Sequence, residues 1–135
     1  MQLIRILLVS LSPAFLHAVK QRLQCDARIA EVWEAQTGQA AVEQMKEWRP
    51  DVVFLDERLP DMSLLEVVPK LRAQSCASRI ILMTLDDTRP YRNAASELGL
   101  DGVIDKTHFT EELEAFLAAM PEEGDHVELI PVSKT

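Results

Sequence analysis

Val52-Val53-Phe54-Leu55-Asp56 is the stretch on which the reading of this chain turns. Four apolar residues run without alternation and end in a carboxylate. A strand with one wet face alternates apolar and polar side chains, whereas a strand covered on both faces carries an unbroken apolar run. Ile6-Leu7-Leu8-Val9 and Ile80-Ile81-Leu82-Met83 have the same character. Ile29–Ala35 alternates, with Ile29, Glu31 and Trp33 to one side, and reads as an edge strand. With the short run Gly102–Asp105, the set Leu3–Val9, Ile29–Ala35, Asp51–Leu55, Arg79–Leu85 and Gly102–Asp105 recurs at regular intervals.

Helical patterns fill the intervals. Ser12 caps the first, with Pro13 at its first position and Phe15, Val19 and Leu23 in one stripe beside Leu16. Ala41, Met45 and Trp48 mark the second, which stops before Pro50. Thr88 is expected to cap the fourth, with Tyr91, Ala94, Ala95 and Leu98 inward and Gly99 ending it. Thr110 is expected to cap the fifth, with Glu111 and Glu112 at the positive end of its dipole and Leu113, Phe116, Leu117 and Met120 as its apolar face. The third carries a conflict. Ser63 and Glu66 have capping-box spacing, but a start at Leu64 leaves Pro69 past the first turn, at a cost of about 3 kcal/mol. A start near Glu66, with Met62–Leu65 as an irregular turn, is the expectation.

Alternating strands and helices imply right-handed crossovers and a parallel sheet. The expected fold is α/β: a flavodoxin-like three-layer sandwich with a five-stranded parallel sheet in the order 2-1-3-4-5 and five helices. Ligand chemistry in such a sheet sits at the C-terminal ends of the strands. That singles out Ser10 and Leu11 after strand one, Asp56, Thr84 at the end of strand four, and Lys106 after strand five.

The 135 residues suffice for one domain, taken as 1–120. Residues 121–135 form a C-terminal tail, loose or partly docked, in which Pro131 restricts the weakly strand-like His126–Val132 to a loop or an edge. A net charge of −8 argues against direct nucleic-acid binding and favours protein partners. No apolar run approaches the ~20 residues of a membrane span, so a cytoplasmic protein without membrane contact is expected. Cys25 and Cys76 show no CxxC pattern and read as reduced thiols. His17, His108 and His126 lack ligand spacing, which argues against zinc.

The run Arg49–Asp56 resembles the approach to the phosphoaccepting aspartate of response-regulator receiver domains in two-component signalling, and Leu59-Pro60-Asp61-Met62 resembles the loop that follows it. Thr84 matches that family's switch hydroxyl, Lys106 its invariant lysine, and Gly38 the residue opening its second helix. Thr107 stands where most receivers have proline. With Asp86-Asp87 it resembles receivers that precede helix-turn-helix output domains. The resemblance covers residues 3 to 120 and implies phosphoryl transfer from a histidine kinase to Asp56. It also implies Mg²⁺ held by Asp56, the Arg58 backbone carbonyl and an acidic residue after strand one.

Four departures alter that expectation. Ser10 and Leu11 replace the acidic pair, and a hard cation needs oxygen ligands that Leu11 lacks. Leu85 follows Thr84 where a small residue is common, and crowds the phosphoryl position. Met62-Ser63-Leu64-Leu65 replaces an acidic-glycine turn. Val103 stands at the position of the switch aromatic and has no ring to swing inward. No cofactor is therefore expected, with Mg²⁺ weak if bound at all.

Asp56 reads either as a strand-end partner of Lys106 or as a working phosphoacceptor. Thr84 reads as a satisfied strand-end hydroxyl or as a switch, and Asp86 and Asp87 as solvated loop acids. Glu57 is expected on the opposite side of its strand end from Asp56. Trp33 and Trp48 read as packing residues. Arg89 and Arg92 are candidates for inter-subunit ion pairs with Asp101 or Asp105 across a homodimer face. The favoured function is an atypical receiver, not an enzyme. It works by contact with a histidine kinase or an output protein, with Mg²⁺-dependent phosphorylation of Asp56 impaired or absent. The alternative is an ordinary phosphorelay receiver. The remote alternative is a small flavodoxin-like or phosphatase-like enzyme, disfavoured because Arg58 stands where a haloacid-dehalogenase-type phosphatase has its second aspartate.

Overall fold

The structure, a computed structural model, describes residues 3–120; the expectations for the tail and for His126 lie outside the described residues. The elements are β1 (Ile4–Val9), α1 (Pro13–Gln24), β2 (Ile29–Ala35), α2 (Gly38–Trp48), β3 (Val52–Asp56), α3 (Leu64–Gln74), β4 (Arg79–Thr84), α4 (Arg89–Leu98), β5 (Gly102–Asp105), a 3₁₀ turn (Lys106–His108) and α5 (Phe109–Ala119). All neighbouring strands pair in parallel in the order β2-β1-β3-β4-β5. The expected sheet order and helix count are met, and β2 is an edge.

Strand alternation divides the core into two layers. Ile4, Ile6, Leu8, Val52, Phe54, Ile81, Met83 and Ile104 face α1 and α5. Leu7, Val9, Val53, Leu55, Ile80, Leu82 and Val103 face α2, α3 and α4. The unbroken apolar runs of β1, β3 and β4 are thus buried on both faces, as a doubly covered sheet requires. Trp33 of the edge strand stacks on Trp48 of α2 with ring centroids 3.8 Å apart, and the Arg5 guanidinium lies 4.6 Å from the Trp48 ring.

Three helix starts differ from expectation. α3 begins at Leu64, not near Glu66, and contains Pro69. The full capping box forms: the Glu66 N–H donates to Ser63 Oγ at 3.2 Å, and the Ser63 N–H donates to Glu66 Oε1 at 2.9 Å. Burial of Val67, Val68 and Leu71 adds to it. Pro69 deprives only the Leu65 carbonyl of its helical donor, and Leu65 lies on the exposed side of the helix.

At α4, Thr88 occupies the cap position in a right-handed helical conformation and its side chain makes no cap bond. Asp87 Oδ1 accepts the Arg89 N–H at 3.0 Å instead. At α5, Thr110 lies inside the helix rather than at its cap. The preceding 3₁₀ turn is capped by Asp105, whose Oδ1 accepts the Thr107 N–H at 2.9 Å, and Glu112 Oε1 accepts the Asp105 N–H at 3.1 Å. At α4 a loop carboxylate thus takes the first N–H, whereas at α5 Asp105 serves the 3₁₀ turn and the helix itself starts at Phe109 with no side-chain cap bond.

Candidate functional site

Asp56 is the last residue of β3, and alternation sends its side chain to the α1/α5 layer. There its Oδ2 accepts two hydrogen bonds, from Ser10 Oγ at 2.9 Å and from Lys106 Nζ at 3.1 Å. Ser10 follows β1 and is fully buried. Its hydroxyl oxygen also accepts the Ser12 N–H at 3.2 Å, which links the turn into α1 to the carboxylate. Lys106 enters from the far side, out of the 3₁₀ turn after β5. Its ammonium lies 4.2 Å from the centre of the Phe15 ring, and it and Asp56 each keep only 13% of their side-chain surface exposed. Three strand ends therefore converge on one carboxylate oxygen: the anion is paired, hydrogen-bonded and largely withdrawn from water.

Glu57 leaves the next position toward the α4 layer. The register explains its partner. Asp56 pairs with Met83, so the following residues, Glu57 and Thr84, lie side by side. The buried Thr84 hydroxyl donates to Glu57 Oε1 and accepts the Asp86 N–H at 2.9 Å. Glu57 Oε2 accepts Arg58 Nε at 3.2 Å, and Arg58 Nη2 reaches Asp86 Oδ2 at 3.2 Å. These two acids hold the exposed Arg58 guanidinium more firmly protonated than usual, the hydrogen bond to Glu57 contributing most. The Thr84 hydroxyl is thus turned to Glu57 rather than to Asp56. Residue-by-residue reading placed Glu57 on the correct face but missed this bond; only the β3–β4 register reveals it.

Asp56, Glu57, Arg58, Leu85 and Asp86 line a small pocket of about 160 Å³. Leu85 stands at its edge with 67% of its surface exposed. A larger hollow of about 520 Å³, lined by residues that include Arg72, Arg92, Ser96 and Asp101, lies between the end of α4 and β5, away from Asp56. Val103 is buried in the α4 layer.

The charges considered for a dimer face have partners within the chain. Arg89 pairs with Asp87, whose carboxyl the Arg89 hydrogen bonds lower to about 2. Arg92 reaches Glu112 at 3.3 Å and the Val103 carbonyl at 3.1 Å. Asp101 pairs with Arg72. Asp105 accepts from the backbone and hydroxyl of Thr107 and is lowered by them. Asp61, in the loop after β3, accepts the Gly38 and Gln39 N–H groups at 2.8 and 2.9 Å, which lowers its carboxyl and ties that loop to the start of α2. A Cβ at Gly38 would meet Met62 Sδ at 2.9 Å, so a larger residue there would have to displace the Met62 side chain.

A sheet of this order with an aspartate, a hydroxyl and a lysine at three adjacent strand ends defines a receiver-type signalling domain. The model of the response regulator receiver domain matches residues 6–118, and the chain belongs to that family. The transcriptional regulatory protein TrcR of Mycobacterium tuberculosis is 32% identical over 125 residues, covering 93% of this chain and 48% of the relative. The nitrate/nitrite response regulator protein NarL of Escherichia coli K12 is 32% identical over 108 residues, covering 80% of this chain and 50% of the relative. The chain thus spans about half the length of these relatives. Among solved structures, the chemotaxis response regulator CheY4 of Vibrio cholerae superposes with a TM-score of 0.76 at 26% identity, covering 87% of this chain and 98% of that one. The fold and the place in two-component signalling follow. No described helix is long and apolar enough to cross a membrane.

The family's metal ion can be tested against these side chains. Magnesium takes six oxygens in near-octahedral geometry and binds most readily where carboxylates gather. Here Ser10 spends its proton on Asp56 Oδ2, Leu11 is 51% exposed with no polar atom in its side chain, and Glu57 serves Thr84 and Arg58. Among the described residues no three His, Cys, Asp or Glu side chains are grouped to hold a metal ion. The carboxylates nearest Asp56, on Glu57 and Asp86, both already pair with Arg58.

Proposed function

We propose that the chain is an atypical receiver that acts by protein–protein contact, with magnesium-dependent phosphorylation of Asp56 impaired or absent. The observation that carries this reading is the occupation of Asp56 Oδ2 by two donors at once, Ser10 Oγ and Lys106 Nζ. In phosphoryl transfer the nucleophile approaches a group already rich in negative charge, and catalysis consists mostly of positioning and charge neutralisation. A single ammonium at this site balances the resting carboxylate. The other cation at this pocket, Arg58, is already paired with Glu57 and Asp86, and Leu85 adds bulk at the rim. The partners of such a module are a histidine kinase or an output protein, met in a cytoplasmic setting without direct nucleic-acid or membrane contact.

The test is direct. Incubated with Mg²⁺ and a small-molecule phosphodonor, then weighed intact, the unaltered chain should stay at its unmodified mass. A stoichiometric phosphoryl adduct that disappears in Asp56→Asn would refute the proposal and restore the ordinary phosphorelay role.

A further inference from the structure

The link between β3 and α4 runs through a residue that the family resemblance does not single out. Glu57 keeps only 9% of its side-chain surface exposed although it carries a carboxylate. Its oxygens are spoken for from two directions: Thr84 donates to Oε1, and Arg58 donates to Oε2. Tyr91, in the first turn of α4, is partly buried against the same layer. Burial is the largest cause that keeps its phenol protonated to higher pH, and the Glu57 charge adds to it. α4 itself is poorly anchored. It has no fully buried residue, its Thr88 side chain makes no cap bond, and Tyr91, Ala95 and Leu98 touch the core only in part. A helix with so few apolar contacts belongs to the low-stability end of a structure, where polar tethers decide its position.

We propose that Glu57 is a built-in anionic pin: its carboxylate takes the Thr84 hydroxyl and the Arg58 guanidinium and holds the β4–α4 turn, and α4 behind it, in one arrangement, whatever the state of Asp56. The inference rests on the reading of the site as a contact module, and deepens it by naming what fixes the contact element. Three neighbouring observations fit together. The strand register sets Glu57 beside Thr84. Thr84 Oγ1 in turn fixes the Asp86 N–H, the first amide beyond Leu85 in the turn. Arg58 closes the loop by bridging Glu57 to Asp86. Asp56, one residue earlier, belongs to a separate set of hydrogen bonds on the other face of the sheet. Glu57 is thus a positioning residue that acts through Thr84 and Arg58.

Hydrogen exchange on the full-length chain reads this out amide by amide. A hydrogen bond to a charged acceptor contributes enough that its loss should speed exchange of the Asp86 amide and of residues 88–98 by about tenfold or more. Glu57→Leu should do this while the amides of β1 and β3 change less than about twofold on the same scale. Glu57→Gln, which keeps an acceptor oxygen, should recover most of the protection. Thr84→Val should loosen the same segment, and the double variant Glu57→Leu/Thr84→Val should be no looser than the more affected single, because both remove one link. Treating the unaltered chain with phosphodonor should leave α4 exchange unchanged.

The pin is overturned by any of four results: unchanged α4 exchange in Glu57→Leu, an equal rise across β1 and β3, additive loosening in the double variant, or donor treatment that protects α4 further. The two proposals fail separately, since adduct mass reports on Asp56 and α4 exchange in Glu57→Leu reports on the pin.

Discussion

Replacing Arg72 should damage this domain more than replacing any residue at the Asp56 site. The guanidinium leaves α3 and ends in a knot of backbone oxygens. It donates to the Gly99 carbonyl at 2.8 and 3.2 Å, to the Cys76 carbonyl at 3.3 Å, to the Ser78 carbonyl and to Asp101 Oδ2. Asp101 Oδ2 also accepts the Ile80 N–H at 2.8 Å, so the pair joins the end of α3, the start of β4 and the α4–β5 turn. Both side chains are mostly buried. Arg72→Met keeps much of the stem but leaves a carboxylate and three carbonyls without their donor. Breaking a buried pair on one side costs about 3–5 kcal/mol. At about 4 °C per kcal/mol for a domain of this size, Tm should fall by roughly 12–20 °C. The total stability of such domains is about 5–15 kcal/mol, so the variant should fold but sit near the margin.

The assay is thermal unfolding by circular dichroism at neutral pH, with urea unfolding to check that the m-value holds. The double variant Arg72→Met/Asp101→Asn should recover part of the loss, because the amide still accepts the Ile80 N–H but no longer carries an unpaired buried charge. Arg72→Lys should recover less than half, since an ammonium lacks the planar fork that reaches several oxygens at once. A fall in Tm below about 4 °C for Arg72→Met would refute the reasoning, because it would mean that water replaces the guanidinium at about 1 kcal/mol or less.

Other consequences can be measured on the same material. Asp26 is lowered from 3.8 to about 2, first by its side-chain hydrogen bond to Arg28. A depressed carboxyl stabilises the fold above its unfolded value and loses that contribution as pH falls through the folded one. The Tm gap between the unaltered chain and Asp26→Asn should therefore be full at pH 6 and close between about pH 4 and pH 2. Ser63→Ala removes one half of the α3 capping box and should cost about 1 kcal/mol in urea unfolding. The double change Ser10→Asp/Leu11→Asp places two carboxylates beside Asp56 and should raise Mg²⁺ affinity, read by isothermal titration calorimetry; unchanged affinity would mean that the donor set is not what limits the ion.

The fold was legible because its evidence is repetitive. The runs in β1, β3 and β4 are each too apolar for one wet face, and the intervals between strands leave room for one helix apiece. Helix starts were less legible, because an N-terminus has several suitors. Thr88 and Thr110 are good caps in isolation, yet Asp87 takes the first N–H of α4, and the 3₁₀ turn capped by Asp105 leads into a helix that starts before Thr110. At α3 a local reading sets the propensity cost of Pro69 against a capping box alone. The burial of Val67, Val68 and Leu71 against the sheet is a tertiary contribution that no local rule contains.

The site divides along the same line. That Ser10, Asp56, Thr84 and Lys106 end neighbouring strands follows from topology and could be read directly. Which of them touch does not follow, since it depends on register and on side-chain reach. Ser10 and Lys106 meet on one oxygen of Asp56, whereas Thr84 turns away to Glu57. A one-residue change in the β3–β4 pairing would exchange these partners, because successive side chains leave opposite faces. The separation of the two carboxylates, one neutralised by an ammonium and one holding a hydroxyl, is therefore a property of the register. It is also the reason that substitutions at Asp56 and at Glu57 should have different effects despite being adjacent in the chain.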